Sequence, residues 1–207
     1  MTRKTKIILF AIVAVVAWLA YPHFVKWPIT NPKPRGTNII AFGDSLTRGV
    51  GGSEAEAYPA VLSRMLRVAI INEGVSGNTT NDALKRLDRD VLARDPKIVL
   101  VCLGGNDMLE QKPTEAVFAN LRQIIERIQT KGALVVLIGI EGFLVGPGSD
   151  YGKSFRNLAK ETGCVLIPDI MEGIITRPSL MFDKIHPNAA GYRKFAERIA
   201  PALKAYL

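Results

Sequence analysis

Residues 38–52 read NIIAFGDSLTRGVGG: an apolar run, a glycine, a serine held between Asp44 and Leu46, and three more glycines. A strand-like run closed by a glycine-rich turn is how an α/β unit begins, and glycines in that place often cradle phosphate. The phosphate reading fails on the residues. No lysine stands in a P-loop context, and the nearest approach to a dinucleotide fingerprint, residues 49–54, has Glu54 where the third glycine belongs. The turn therefore serves to present Ser45.

Outward from this stretch the same alternation repeats. β-rich apolar runs follow at 68–72, 98–103, 134–140 and 164–168. Segments of helical period lie between them, at about 58–67, 80–94, 114–131 and 151–162, and a last one follows Asn188. Pro59 suits a first helical turn, Thr114 with Glu115 makes a cap and first-turn acid, and Gly132 and Gly163 lie just past helix ends. Five strands alternating with helices predict one α/β domain around a five-stranded parallel sheet covered on both faces. Right-handed crossovers bring all strand C-termini to one edge, where such sheets bind ligands. Chemistry is expected in the loops after the first four strands and in the loop before the last helix.

The 207-residue chain is 48% hydrophobic, enough to fill one domain with an appendage. Its formal charge of +8 is concentrated at the N-terminus. Arg3, Lys4, Lys6, Lys26, Lys33 and Arg35 meet no acid before residue 37, and the remaining 21 basic residues face 19 acids with the signs interspersed. A nucleic-acid reader carries its basic stripe on the folded domain, so no nucleic-acid partner is expected.

The uncharged run IILFAIVAVVAWLAY, residues 7–21, follows three basic residues and stops at Pro22, the pattern of a signal peptide or a short signal anchor. A cut after Ala20 would put Trp18 where a small residue belongs, and a cut after Ala17 would put Val15 there. Residues 1–25 are read as an uncleaved, single-pass inner-membrane anchor with the domain on the periplasmic side; cleavage would make the protein secreted. Residues 26–36, with three prolines in WPITNPKPRG, read as a stiff spacer, and 37–207 as the folded domain. Cys102 and Cys164 each sit in a β-branched run and read as small buried hydrophobes. No metal-ligand spacing occurs.

A serine hydroxyl becomes a nucleophile when a base takes its proton, and histidine is the usual base near neutral pH. Of the two histidines, His23 belongs to the N-terminal segment, which leaves His186 in FDKIHPN. Pro187 keeps His186 out of helical conformation, Asn188 can cap the helix that follows, and Asp183 can fold back onto the imidazole. Alone, these residues read better as a surface Asp–His turn; a single eligible histidine together with a poised serine turns the reading to catalysis. Acyl transfer also needs donors aimed at an oxyanion. Gly77, in INEGVSGNTT, can bring its N–H close to a ligand; Asn106, in LGGND, presents a side-chain amide; Ser45 N–H is the third donor. Asp44 is read as a turn residue whose carboxylate bonds nearby backbone, and Thr47 as a local cap.

GDSLT around Ser45, the SGN glycine at Gly77, GGND with Asn106, and D-x-x-H with Asp183 and His186 together resemble the GDSL, or SGNH, hydrolase family. The blocks NEGVSGNTT and LGGND look most like its bacterial thioesterase I, lysophospholipase and arylesterase branch. The resemblance implies a three-layer flavodoxin-like fold, no metal or cofactor, and a Ser45–Asp183–His186 triad with an oxyanion hole from Ser45, Gly77 and Asn106. It also implies that the third and fifth strands are not neighbours, which argues against a Cys102–Cys164 disulfide. The chain departs from the branch over residues 140–151, IEGFLVGPGSDY, and in the anchor, where many relatives are soluble.

The substrate expected is a small-molecule or lipid ester. Met108, Leu109, Phe143 and Leu144 are candidates for an acyl groove, although packing beneath a loop explains them as well. A carbohydrate O-acetyl esterase is the competing enzyme reading. A non-catalytic α/β binding module is the third, and the intact set of Ser45, Asp183 and His186 weighs against it. Nothing in the sequence marks an oligomeric state.

Overall fold

The computed structural model describes residues 27–141 and 150–207. Within them, β1 (Asn38–Gly43), β2 (Ile70–Gly74), β3 (Pro96–Cys102), β4 (Leu134–Ile138) and β5 (Val165–Ile167) form one parallel sheet in the order β2-β1-β3-β4-β5. The order reverses between β1 and β3, and the crevice beyond the strand C-termini at such a reversal is where open sheets bind ligands. The central strands are apolar without interruption because both faces are covered.

Successive residues of β1 point to opposite layers. Ile39 and Ala41 join Tyr58, Leu62, Tyr192, Phe195 and Ile199, from helices α2 (Tyr58–Leu66) and α7 (Ala189–Lys204). Ile40 and Phe42 join Leu87, Leu121, Ile125 and Phe155 on the other face. Those come from α3 (Thr80–Asp90), α5 (Thr114–Thr130) and α6 (Tyr151–Thr162). Each large side chain fully buried this way contributes roughly 1.5–3 kcal/mol. The result is the expected three-layer α/β architecture. Two short helices, α1 (Ser45–Arg48) and α4 (Gly105–Leu109), start directly behind β1 and β3.

Several local readings are corrected. Strand β2 begins two residues later than its apolar run, because Arg67 ends α2 in a left-handed conformation (φ 57°) and the Val68 N–H closes onto Ser63. Thr114 is the first residue of α5 and caps nothing; Pro113 holds the cap position, with Glu115 in the first turn as expected. Asn188 does cap α7, its side chain accepting from Gly191 N–H at 3.1 Å. Cys102 and Cys164 are free and buried, with β4 between β3 and β5.

Residues 27–36 run along the base of the sheet. Trp27 Nε1 donates to the Cys164 carbonyl at 2.9 Å and Thr30 Oγ1 to the Thr162 carbonyl at 2.9 Å. Asn31 Nδ2 donates to the carbonyls of Gln129 and Ala133, each at 2.9 Å, and Arg35 N–H to that of Gly132 at 3.0 Å. These partners precede β4 and β5, so the strap follows the N-terminal ends of the strands. The apolar run at 7–21 lies outside the described residues, among which no helix is long and apolar enough to cross a membrane.

Candidate active site

The hydroxyl of Ser45 is placed by a strand that ends and a helix that barely begins. Asp44 caps α1, its Oδ1 accepting from Leu46 N–H at 3.0 Å, and Gly49, at φ 91°, stops the helix after one turn. Asp44 thus bonds local backbone as expected. Thr47 does not act as a cap: its Oγ1 pairs with the Tyr58 hydroxyl at 3.1 Å inside the core, fastening α1 to α2. Behind α1, the Tyr192 hydroxyl donates to the Val50 carbonyl at 2.6 Å and ties the serine loop to α7.

His186 reaches the serine from the loop before α7. That loop is pinched shut by an antiparallel bridge between Met181 and Pro187 and by Phe182 N–H donating to the His186 carbonyl at 2.8 Å. Inside the pinch, Asp183 Oδ1 accepts from the N–H groups of Ile185 and His186, each at 2.7 Å, while Oδ2 lies 2.8 Å from His186 Nδ1. His186 Nε2 lies 3.0 Å from Ser45 Oγ. Burial is the largest single influence on the Asp183 carboxyl and raises its pKa, but the hydrogen bonds from His186 and Ile185 together outweigh it and hold the carboxyl at about 2. An ionised carboxylate only accepts, so Nδ1 carries the ring hydrogen and Nε2 turns its lone pair to Ser45.

Asn106 lies in the first turn of α4, and its Nδ2 donates to the Asn78 carbonyl at 2.9 Å and makes a longer contact, 3.4 Å, to Asp44 Oδ2. Gly77 has φ 79°, and a Cβ built there would meet nothing within 4 Å. Its loop is tied to the serine loop by Val75 N–H donating to the Gly43 carbonyl at 3.0 Å. Gly74 is needed for a different reason: a Cβ there would overlap the Arg48 nitrogen, so the second strand could not pass this close to α1. Burial pushes the Asp44 carboxyl up to about 6, against the lowering pull of Leu46 N–H and nearby His186.

Of the candidate groove residues, Leu109 is 47% exposed, whereas Met108 packs half-buried against the α5 side of the core. Phe143 and Leu144 lie outside the described residues. Val75, directly after β2, and Phe182, directly before Asp183, are further large exposed apolar residues at this edge, 40% and 65% exposed. Sequence reasoning missed two buried polar residues. Asp107 accepts from Thr80 N–H at 2.8 Å and Thr80 Oγ1 at 2.7 Å, joining α4 to the start of α3. Arg86 of α3, 9% exposed along its side chain, bonds the backbone at the ends of β1 and β2. Among the described residues, no group of three or more His, Cys, Asp or Glu is placed to hold a metal.

A parallel α/β domain that lines up a hydroxyl, an imidazole and a carboxylate at its strand ends has the layout of a hydrolase. The chain belongs to the GDSL-like lipase/acylhydrolase family, whose model matches residues 41–194, and is an ester hydrolase. It is 32% identical over 183 residues to an arylesterase of Vibrio mimicus, covering 82% of this chain and 89% of that one. It is also 32% identical over 173 residues to thioesterase 1/protease 1/lysophospholipase L1 of Escherichia coli K12, covering 80% and 83%. The crystal structure of TesA superposes with a TM-score of 0.77 at 26% identity, over 83% of this chain and all of that one.

Proposed function

We propose that the protein hydrolyses carboxylic esters and thioesters of acyl or lysolipid type through Ser45, His186 and Asp183. The observation that carries the reading is the unbroken contact from Ser45 Oγ to His186 Nε2 at 3.0 Å and from His186 Nδ1 to Asp183 at 2.8 Å. Ser45 gives its proton to Nε2 as Oγ bonds the substrate carbonyl carbon, and the carbonyl electron pair moves onto oxygen. Ser45 N–H, Gly77 N–H and Asn106 Nδ2 receive that charge. One such donor is worth about 10²–10³ in kcat. Asp183 stabilises the imidazolium, which then protonates the departing alkoxide or thiolate as the tetrahedral centre collapses. Water deprotonated by the same nitrogen releases the acid and restores Ser45.

The acyl preference is supported by the exposure of Val75, Leu109 and Phe182 at the edge that carries Ser45. The proposal includes residues 1–25 as a membrane anchor, with the domain on the extracytoplasmic side. Retention of the full chain in carbonate-washed membranes tests the anchor; release into the wash refutes it. The catalytic reading is tested with a p-nitrophenyl ester series, acetyl to long acyl, on the full chain and on Ser45→Ala. Activity on the longer acyl esters that vanishes in Ser45→Ala is expected. A folded wild type inactive on every ester, or an equally active Ser45→Ala, overturns it, and a preference for acetyl alone turns the reading to a small-acyl deacetylase.

A further inference from the structure

Arg86 shares the buried face of α3 with Ala83, Leu87 and Asp90, where amphipathic spacing would call for an apolar side chain. Its guanidinium lies beneath the loops that carry the oxyanion donors. Nη2 donates to the Gly43 carbonyl at 2.8 Å, two residues before Ser45. Nη1 donates to the Glu73 carbonyl at 3.1 Å, at the end of β2. Nε donates to Asn78 Oδ1 at 2.6 Å, and the Asn78 carbonyl in turn accepts from Asn106 Nδ2 at 2.9 Å. The guanidinium carbon stands 4.3 Å from the centre of the Phe42 ring, which fixes its plane against the sheet. Asp90 balances the charge at 3.0 Å. A pair with Asp90 would suffice for a purely structural arginine, yet the three other bonds run to the serine loop, the β2 end and the Gly77 loop.

We propose that Arg86 is a positioning residue that sets the spacing of the three oxyanion donors: through Gly43 it places Ser45 N–H, and through Asn78 it places both Gly77 and Asn106. The proposal rests on the catalytic reading above. A planar fork of donors can span these carbonyls, whereas a lysine ammonium radiates from one point and cannot reach both Gly43 and Asn78. Donors displaced by a fraction of an ångström fit the developing oxyanion less well while ground-state binding changes little. The loss therefore belongs in kcat.

The test compares Arg86→Lys, Asn78→Ala, the double variant and Leu87→Val by steady-state kinetics on p-nitrophenyl acetate together with Tm. Leu87 is a fully buried core residue on the same helix and serves as the stability control. Arg86→Lys and Asn78→Ala are each expected to lower kcat about tenfold to a hundredfold, with KM within about threefold. The double variant should lose little beyond Arg86→Lys, because the two act through one link. Leu87→Val should lower Tm and leave kcat intact. Unchanged kcat in Arg86→Lys, losses that multiply in the double variant, or a loss in Leu87→Val matching its Tm overturns the proposal. If Arg86→Lys does not fold, Asn78→Ala decides alone, and retained kcat there overturns it. A wild type without Ser45-dependent esterase activity removes the catalytic reading itself, an outcome distinct from an active enzyme indifferent to Arg86.

Discussion

Asp44 Oδ2 lies 3.4 Å from Asn106 Nδ2, so a buried carboxylate on the serine loop faces the amide of the neighbouring loop. The same amide is held from the other side by the Asn78 carbonyl at 2.9 Å. The amide thus meets two acceptors, a close neutral one and a more distant charged one. The charged one is expensive to keep in the interior, and that expense is measurable.

Burial raises the folded-state pKa of Asp44 to about 6, above its ordinary value of 3.8. Between those two pH values the folded chain binds the proton more tightly, so the wild type loses stability as pH rises through this window. Asp44→Asn keeps an acceptor for Leu46 N–H and carries no charge. It is expected to melt higher than wild type at pH 8, by on the order of 1–3 kcal/mol, with the advantage fading toward pH 4. Its activity should fall, because an amide donor now faces the donor of Asn106. Thermal melts at both pH values, with p-nitrophenyl acetate turnover, check both halves.

Asp183→Asn should leave the turn in place, since its remaining oxygen can still accept from Ile185 and His186 N–H. Its amide would face Nδ1 as a donor, however, and the hydrogen would move to Nε2, where it blocks transfer from Ser45. A loss of roughly 10³–10⁴ in kcat is expected. A variant that keeps more than a tenth of wild-type kcat would show that the carboxylate does not fix the tautomer.

Two glycines three residues apart should respond in opposite ways. Gly74→Ala forces a methyl into the Arg48 backbone and should prevent stable folding. Gly77→Ala meets no neighbour and costs only the strain of φ 79°, about 1–2 kcal/mol. Circular dichroism should show Gly77→Ala folded, with reduced kcat from the altered loop, and soluble Gly74→Ala at normal yield would contradict the close packing.

Burial raises the pKa of both thiols, that of Cys164 to about 12. Neither is close to a partner for oxidation, and β4 separates their strands. Ellman's reagent should find no reactive thiol in the native protein and two after unfolding, and a reducing agent should leave Tm unchanged.

The sheet was legible because Ile39–Phe42 or Val99–Cys102 can satisfy an unbroken apolar sequence only when both faces are covered. The Ser45, His186 and Asp183 juxtaposition was legible because one histidine had an aspartate three residues away and the sheet rule brought its loop to the serine's edge. Helices α1 and α4 were invisible, since one turn holds no period. Thr47 and Thr114 misled because a threonine near a helix start reads as a cap whether its hydroxyl faces backbone or core. Arg86 hid for a different reason: within DALKRLDRD it reads as one more charge, although its spacing from Ala83 and Leu87 puts it on the buried face, where the ends of β1 and β2 give it acceptors.

The strap from Trp27 to Gly36 gives the domain an underside. Its hydrogen bonds lie ahead of β4 and β5, whereas Ser45 follows β1, so the sheet's full depth separates them, roughly 20 Å for a strand the length of β3. The chain therefore enters the domain from below, on the side of the sheet opposite the reacting rim. An ester can thus approach Ser45 from a side that the entering chain does not cross.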